Sequence, residues 1–177
     1  MGGGESARDR ISFLLSLRAV REFREDPVPR EVVDDVLEVA RLSGSASNKQ
    51  PWELVVVRDR ATLGALAEVE GYADHLAGAA LGIVPVMAGG REEQEAYDEG
   101  RLCERIMLAA RAHGVGSSIG WFVGGGVPAV KELLGVPQER RVRSAVSFGY
   151  PREDGRGGRG PVRKPISKIV HEERYGR

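Results

Sequence analysis

The chain has 177 residues, of which 41% are apolar, and its 26 basic residues balance 26 acidic ones. This length is typical of one domain, and the apolar fraction is enough for a hydrophobic core, which argues against a disordered chain. A net charge of zero lacks the basic excess typical of nucleic-acid-binding and membrane-binding proteins. The single cysteine, Cys103, excludes a disulfide within the chain and a cysteine-based zinc finger.

The first half of the chain is predicted to alternate between helices and short strands. Residues 1–7 are glycine-rich and charged, without the apolar stretch of a signal peptide, so we expect them to be disordered and the protein to be cytoplasmic. Apolar spacing and turn residues predict the following elements: helices over about 6–17, 30–43, 61–68 and 75–80, and strands over 54–57 and 83–87. Pro85 predicts that the second strand lies at a sheet edge or beside a bulge.

The second half continues the pattern, and the whole chain is predicted to form one domain over residues 1–177. Predicted here are helices over about 94–113 and 127–134, strands over 117–121 and 143–148, a loop over 155–160 and a tail over 161–177. In the last strand, alternation places Arg143, Ala145 and Ser147 on one face, and Val142, Val146 and Phe148 partly on the other. Interleaved helices and few strands indicate a mixed α+β fold, with a sheet covered on both faces.

The residue patterns of common catalytic devices are missing from the sequence. The three histidines are scattered and form no metal-binding motif, and the chain contains no GxSxG elbow, Walker loop or strand–GxGxxG–helix unit. The glycines at 124–126 are interpreted as a loop, and Cys103 as a core residue. If the protein is an enzyme, a bound cofactor is expected to supply the chemistry.

Two arginines at a predicted helix boundary form a possible anion site. Arg18 and Arg21 are three residues apart, and two guanidinium groups at this spacing could clamp a phosphate. The alternative is that both are solvated surface arginines.

A polar loop over residues 43–52 leads into the first predicted strand. Its small residues permit close backbone approach, and the amides of Asn48 and Gln50 could pair with the edge of a heterocycle. The alternative is an ordinary helix-to-strand loop anchored by Trp52.

These two segments, together with later ones, make the sequence resemble the nitroreductase family of FMN-dependent oxidoreductases. The matching segments are Arg18–Phe23, Gly44–Trp52, Gly149–Pro151, Arg163–Ser167 and His171–Gly176. They occur in the family's order along nearly the whole chain. The resemblance implies a mainly antiparallel sheet flanked by helices, in a homodimer whose extended tail embraces the partner.

The resemblance also implies which residues hold the FMN phosphate and ribityl chain. Arg18, Arg21 and Arg163 are the matching positions, with the Ala19 backbone nearby. The family's first arginine is Leu17 here, and its usual serine is Ala19. Two phosphate contacts are therefore expected to be missing or shifted.

Other positions are implied to surround the flavin ring. Ser45, Asn48 and Gln50 match the loop that embraces the isoalloxazine, although the family's proline in this motif is Gly44 here. Gly120 and Trp121 match the segment whose backbone amides face flavin N5. The alternative for Trp121 is a core position.

The function implied is hydride transfer from NAD(P)H through flavin N5 to a nitroaromatic, quinone or flavin-like acceptor in a ping-pong cycle. The apolar tail residues Ile166, Ile169, Val170 and Tyr175 would dock on the second subunit, or alternatively on their own domain. No metal, nucleic-acid or membrane partner is expected.

Other functions stay open at this stage. One is a non-catalytic FMN carrier or sensor on the same fold, and another is a family reaction that degrades flavin or reduces other rings. The RGG-like segment over 155–160 is more consistent with a surface loop than with an RNA-binding tract.

Overall fold

A computed structural model describes residues 6–152 and 163–176 of the chain. Its central feature is an antiparallel sheet in the order β1-β2-β5-β3, with β4 pairing beside β2. The strands are β1 (Trp52–Val57), β2 (Leu81–Met87), β3 (Gly116–Trp121), β4 (Arg141–Val142) and β5 (Ser144–Gly149). β1 and β3 are therefore the outer strands.

Five α-helices accompany the sheet. They are α1 (Ala7–Leu15), α2 (Arg30–Arg41), α3 (Arg60–Ala67), α4 (Glu92–Ala112) and α5 (Gly126–Leu134). Three short 3-10 segments, at Ala46–Asn48, Asp74–Gly78 and Ile166–Lys168, complete the regular structure of the described residues.

Two hydrophobic clusters lie on opposite faces of the sheet. One cluster contains the valines of α2 and the apolar face of α4, including Leu102, Cys103 and Ile106. The other contains Leu63 and Leu66 of α3, with Val130 of α5. The α+β class and the helices on both faces are thus confirmed, and Cys103 is a buried core residue.

Pro85 lies in a central strand, so the prediction of a sheet edge was wrong and the prediction of a bulge was correct. β2 pairs with β1 on one side and with β4 and β5 on the other. Ile83 pairs with Val146 and Val86 with Val142. On β2, two residues lie between Ile83 and Val86, whereas on the opposite side three residues lie between Val142 and Val146. The extra residue on that side forms a β-bulge. A proline is tolerated here because the ladder is interrupted at this point.

The same bulge explains why the faces of the last strand differ from the predicted ones. Val146 and Phe148 belong to the cluster beneath α2 and α4, whereas Val142 belongs to the cluster beneath α3 and α5. An inserted residue reverses the alternation, because side chains in a strand have a period of two. Simple alternation could not place both ends of this strand on the correct faces.

The outer edge of β3 is covered by two segments of chain. At its start, Ala19 forms a parallel bridge to Ser117, and the Val20 N–H donates to the Ser117 carbonyl at 2.8 Å. At its end, Gly71 bridges Phe122, and the Tyr72 N–H donates to the Trp121 carbonyl at 2.7 Å. The residues after α1 are thereby fixed against the sheet.

Both described termini leave apolar side chains exposed. Of residues 1–7, for which the sequence predicts disorder, Ser6 caps α1 through a capping box with Asp9 and Ala7 begins the helix, while residues 1–5 lie outside the described residues. The exposed apolar residues are Ile11, Leu14 and Leu15 in α1, and Ile166, Ile169, Val170 and Tyr175 in the tail. The tail's apolar residues are therefore not buried against their own chain, contrary to the alternative of docking on the same domain.

None of the helices in the described part of the chain combines the length and apolarity needed to span a bilayer. The loop predicted over 155–160 lies outside the described residues, as do the first two residues of the predicted tail.

Candidate functional site

A cleft of about 490 Å³ opens where the segment after α1 meets the start of β3. Thirteen described residues line it: Ser16, Leu17, Arg18, Ala19, Val20, Arg24, Arg111, Gly114, Val115, Gly116, Ser117, Pro151 and Arg152. Four are arginines, and none of the thirteen is acidic. Arg24 forms an ion pair with Asp26, which lies outside this lining, at 3.2 Å. The cleft is therefore strongly cationic and suited to an anion.

The two arginines of the predicted phosphate clamp are placed differently. Arg18 lines the cleft, and its Nη1 donates to the carbonyls of Leu15 and Leu17 at 2.7 Å each, which closes the end of α1. Arg21 is exposed, is absent from the cleft lining and lies near His75. The structure thus brings Arg18 and Ala19 together in one cleft, without Arg21.

His75 is a buried residue of the short Asp74–Gly78 segment and does not line the cleft. Its Nδ1 lies 2.7 Å from Ser147 Oγ, and its Nε2 has no hydrogen-bond partner among the described residues. Burial lowers the pKa of His75, and the positive charge of Arg21 lowers it further against the opposing charge of Asp74. Burial and the Arg21 charge thus disfavour the protonated form of the ring.

The Ser45–Gln50 loop precedes β1 at the other edge of the sheet. The Gln50 N–H donates to Ser45 Oγ at 2.8 Å, and the Ala46 N–H donates to Asp98 Oδ2 of α4 at 3.3 Å. Asn48 and Gln50 are exposed, and both have positive φ angles, of 51° and 48°. Left-handed conformations outside glycine are costly and cluster at functional sites.

Gly120 and Trp121 end β3 at its outer edge. Gly120 is buried, and a Cβ added at this position would press against Ala73. Trp121 is 43% exposed, with the Arg143 guanidinium 5.3 Å from its ring centroid. The alternative of a core position for Trp121 is therefore not supported. Gly120 and Trp121 lie at the opposite end of β3 from Arg18 and Ala19.

Arg163 begins the second described range and is exposed. It does not belong to the lining of the cationic cleft. The described residues therefore do not unite Arg163 with Arg18.

Sequence analysis missed a row of buried carboxylates on α4. Glu95, Asp98 and Glu99 are each no more than 4% exposed. Arg141 donates to Glu95 at 2.5 Å, and Ser144 donates to Glu99 at 2.5 Å. A signal was present, because these acids share the helical spacing of the buried Leu102 and Ile106.

The environments of two of these acids push their pKa values in opposite directions. Burial opposes the ionisation of Glu95, but three backbone N–H donors and the charge of Arg141 outweigh it, so the pKa is lowered. For Glu99, burial dominates and raises the pKa, although Ser144 and two arginines act in the opposite direction. Burial also raises the pKa of the neighbouring Cys103 thiol to about 12, which disfavours the reactive thiolate form.

Arg111 and Ser117 of the cationic cleft were also not among the predicted site residues. Arg111, in the last turn of α4, donates through Nε to Ser16 Oγ at 3.1 Å. Ser117 is 1% exposed, and its Oγ has no hydrogen-bond partner among the described residues. No sequence motif marks either residue, because both reach the cleft only through tertiary packing.

Comparisons with known proteins agree with this architecture. The family model described as "Nitroreductase family" matches residues 15–99. A protein of Archaeoglobus fulgidus, provisionally named as an NADH dehydrogenase/NAD(P)H nitroreductase, is 34% identical over 81% of this chain and 86% of its own length. A 5,6-dimethylbenzimidazole synthase of Rhodospirillum rubrum is 30% identical, over 84% of this chain and 85% of its own length.

A solved structure extends the likeness to three dimensions. An FMN-dependent nitroreductase from Clostridium difficile superposes with a TM-score of 0.79 and 26% identity, over 93% of this chain and 99% of that one. The shared fold, the ordered motifs and these relatives lead to one assignment. The chain belongs to the nitroreductase family of oxidoreductases.

Proposed function

We propose that this oxidoreductase binds FMN and transfers hydride from NAD(P)H to an electron-poor organic acceptor. The observation that carries the proposal is the cationic cleft beside the Arg18–Phe23 motif, which contains four arginines and no acidic residue in its described lining. A phosphate is the group that such a cleft fits best. The FMN dependence named for the Clostridium difficile structure supports the same cofactor.

The residues present fit a phosphate at one end of β3 and a ring at the other. Arg18 and the Ala19 backbone would hold the phosphate, with Arg21 and Arg163 contributing charge along the ribityl chain. Ser117 and Trp121 are four residues apart on the strand, a length of about 13 Å at strand spacing. Gly120 and Trp121 would then present the backbone to the ring.

The Ser45, Asn48 and Gln50 loop would complete the site from a second subunit. It precedes β1, and β2 and β5 separate that strand from β3. Three strand spacings make this about 14 Å, which is too far for one chain's loop to contact a ring seated at the end of β3. A homodimer would bring the partner's copy of the loop to this ring.

The exposed apolar residues at both described termini support the dimer. Leu14 and Leu15 of α1 are 51% and 68% exposed, and Ile169 of the tail is 60% exposed. Clusters of exposed large apolar side chains are typical of interaction surfaces. A tail wrapped on the partner would bury them and would enclose the cofactor from both sides.

When bound, FMN supplies hydride transfer at N5 between NAD(P)H and an acceptor such as a nitroaromatic, a quinone or a flavin, in a ping-pong cycle. The chain itself would bind, orient and exclude water. Arg21 and Arg163 would place positive charge beside the bound cofactor. No acid–base side chain is required by this proposal, which is consistent with the absence of such a motif in the sequence.

The first experiment is an absorbance spectrum of the purified protein, with chromatographic identification of any released cofactor. We expect flavin bands, release of about one FMN per chain, and oxidation of NADH or NADPH when a quinone or nitroaromatic is added. A protein that is colourless and does not take up added FMN would contradict the proposal. FMN binding without turnover of either nicotinamide would favour the carrier or sensor function.

A second readout addresses the open alternative that the chain degrades flavin. The flavin is extracted and quantified after aerobic incubation with NAD(P)H. Recovery of intact FMN is expected for the proposed reaction. Loss of the flavin ring during incubation would instead assign the chain to flavin degradation.

A further inference from the structure

Arg111 and Ser117 line the cationic cleft but lie outside the Arg18–Phe23 motif. The motif presents Leu17 and Ala19 to the cleft, and neither side chain offers a polar atom. Arg111 and Ser117 reach the same cleft from α4 and β3. We infer that Arg111 and the Ser117 hydroxyl bind the phosphate of FMN and replace the contacts that Leu17 and Ala19 cannot make. This inference rests on the proposed function.

The pairing of Ser117 with Ala19 places the Ser117 hydroxyl beside the expected phosphate site. Ser117 forms the parallel bridge with Ala19, so the two residues lie side by side across the ladder. Its Oγ is buried and has no partner among the described residues. A buried hydroxyl without a partner is costly, and such groups are rare unless a ligand or water satisfies them. A phosphate oxygen in the cleft would accept this hydrogen bond.

Arg111 is positioned by a second hydroxyl. Its Nε donates to Ser16 Oγ, which itself donates to the Phe13 carbonyl at 2.7 Å. The side chain is thereby directed toward the end of α1, beside Leu17 and Arg18. Arg111 forms no ion pair with any acid of the described ranges, so its charge is available to an anion.

The alternative role of Arg111 is purely structural. A basic residue in the last turn of a helix interacts favourably with the carbonyl end of that helix. Such a role would stabilise the protein with or without cofactor. Phosphate binding would affect only ligands that carry a phosphate, and this difference makes the two roles separable.

The test compares FMN with riboflavin, which has the same ring without the phosphate. Apoprotein of the full chain is titrated with each flavin, and dissociation constants are obtained from fluorescence quenching or calorimetry. The variants are Arg111→Gln and Ser117→Ala, with Arg105→Gln as control. Arg105 is also an exposed arginine of α4 and lies outside the cleft.

For Arg111→Gln we expect FMN affinity to fall about tenfold, because a charge-assisted hydrogen bond is lost, with riboflavin affinity unchanged. Ser117→Ala is expected to weaken FMN binding by a similar factor. The melting temperature of the Ser117→Ala apoprotein should stay the same or rise, because the substitution removes a hydroxyl that lacks a partner. Arg105→Gln should resemble the wild type in every measurement.

Three results would overturn the inference while leaving flavin binding intact. These are unchanged FMN affinity in both variants, an equal loss for FMN and riboflavin, and a lower melting temperature of Ser117→Ala apoprotein with no selective loss for FMN. A wild-type chain that binds neither flavin would overturn the proposed function, and this inference with it. The two failures are thus distinguishable.

Discussion

Glu99 lies on the buried face of α4, where Ser144 donates to one carboxylate oxygen and the other has no partner among the described residues. Burial raises its pKa above the ordinary value of 4.5. The folded state therefore holds this proton to a higher pH than the unfolded chain does. As the pH rises through the interval between the two pKa values, the unfolded chain binds fewer protons, and the free energy of unfolding decreases.

We predict that Glu99→Gln removes this loss of stability, because the amide keeps the shape and cannot ionise. At neutral pH the free energy of unfolding should equal or exceed that of the wild type by up to about 1 kcal/mol. The measurement is urea denaturation at about pH 5 and about pH 7.5. The control is Glu93→Gln, on an exposed position of the same helix. A Glu99→Gln protein that is less stable at both pH values would contradict the prediction.

Arg18 and Arg21, the two arginines of the predicted phosphate clamp, are placed apart in the structure. The motif predicted Arg18 and Arg21 as a pair, because they are neighbours in sequence. In the structure Arg18 lines the cleft with Arg111, which is distant in the chain, while Arg21 lies toward His75. Residues that share a motif need not share a cleft, since the segment presents successive side chains in different directions.

The segment that covers the end of β3 contacts this strand directly through the backbone of Gly71. Its φ is 154°, and a Cβ at this position would overlap the Trp121 carbonyl. Gly71 is therefore required for the segment that covers the end of β3, next to Gly120. In contrast, Gly64 lies in the middle of α3 with no atom within 4 Å of an added Cβ.

We predict opposite effects for the two alanine substitutions. Gly71→Ala should lower the free energy of unfolding by about 2 kcal/mol or more, because the backbone must move. Gly64→Ala should raise it by up to about 1 kcal/mol, because alanine favours a helix over glycine. Thermal and urea unfolding of both variants provide the measurement. Similar stabilities for the two variants would show that the covering segment is not held as described.

At the scale of the whole molecule, the apolar surfaces of α1 and the tail determine the expected assembly. We predict that Leu14→Glu and Ile169→Glu each convert a dimer into a monomer and lower FMN content, because a charge cannot be buried unpaired in an apolar interface. Size-exclusion chromatography with light scattering at several concentrations measures the mass, and absorbance measures the flavin.

The control for the dimer is Leu133→Glu on α5. Leu133 is also exposed, at 44%, but its helix packs on the opposite face of the sheet from α2 and α4. This variant should remain dimeric and retain its flavin. A wild-type chain that is monomeric with full flavin occupancy would eliminate the shared site.

The sequence by itself determined the α+β class, the position of most elements and the family. Helical and strand periodicities are local, so apolar spacing located α2, α4 and β2 to within a few residues. The ordered motifs from Arg18 to Pro151 carried the family assignment, because they depend on residue identity and not on contacts. The burial of Cys103 also followed from its local setting in a helix.

Only the tertiary structure decided the features that depend on contacts between distant segments. The β-bulge opposite Pro85 depends on the register between two strands, and it placed Val142 on the face opposite to the predicted one. The cationic cleft combines Arg18 with Arg111 and Ser117, which the sheet and α4 bring together from far apart in the chain. Local patterns cannot encode such neighbours, since the free energy that favours them comes from packing the whole sheet and its helices.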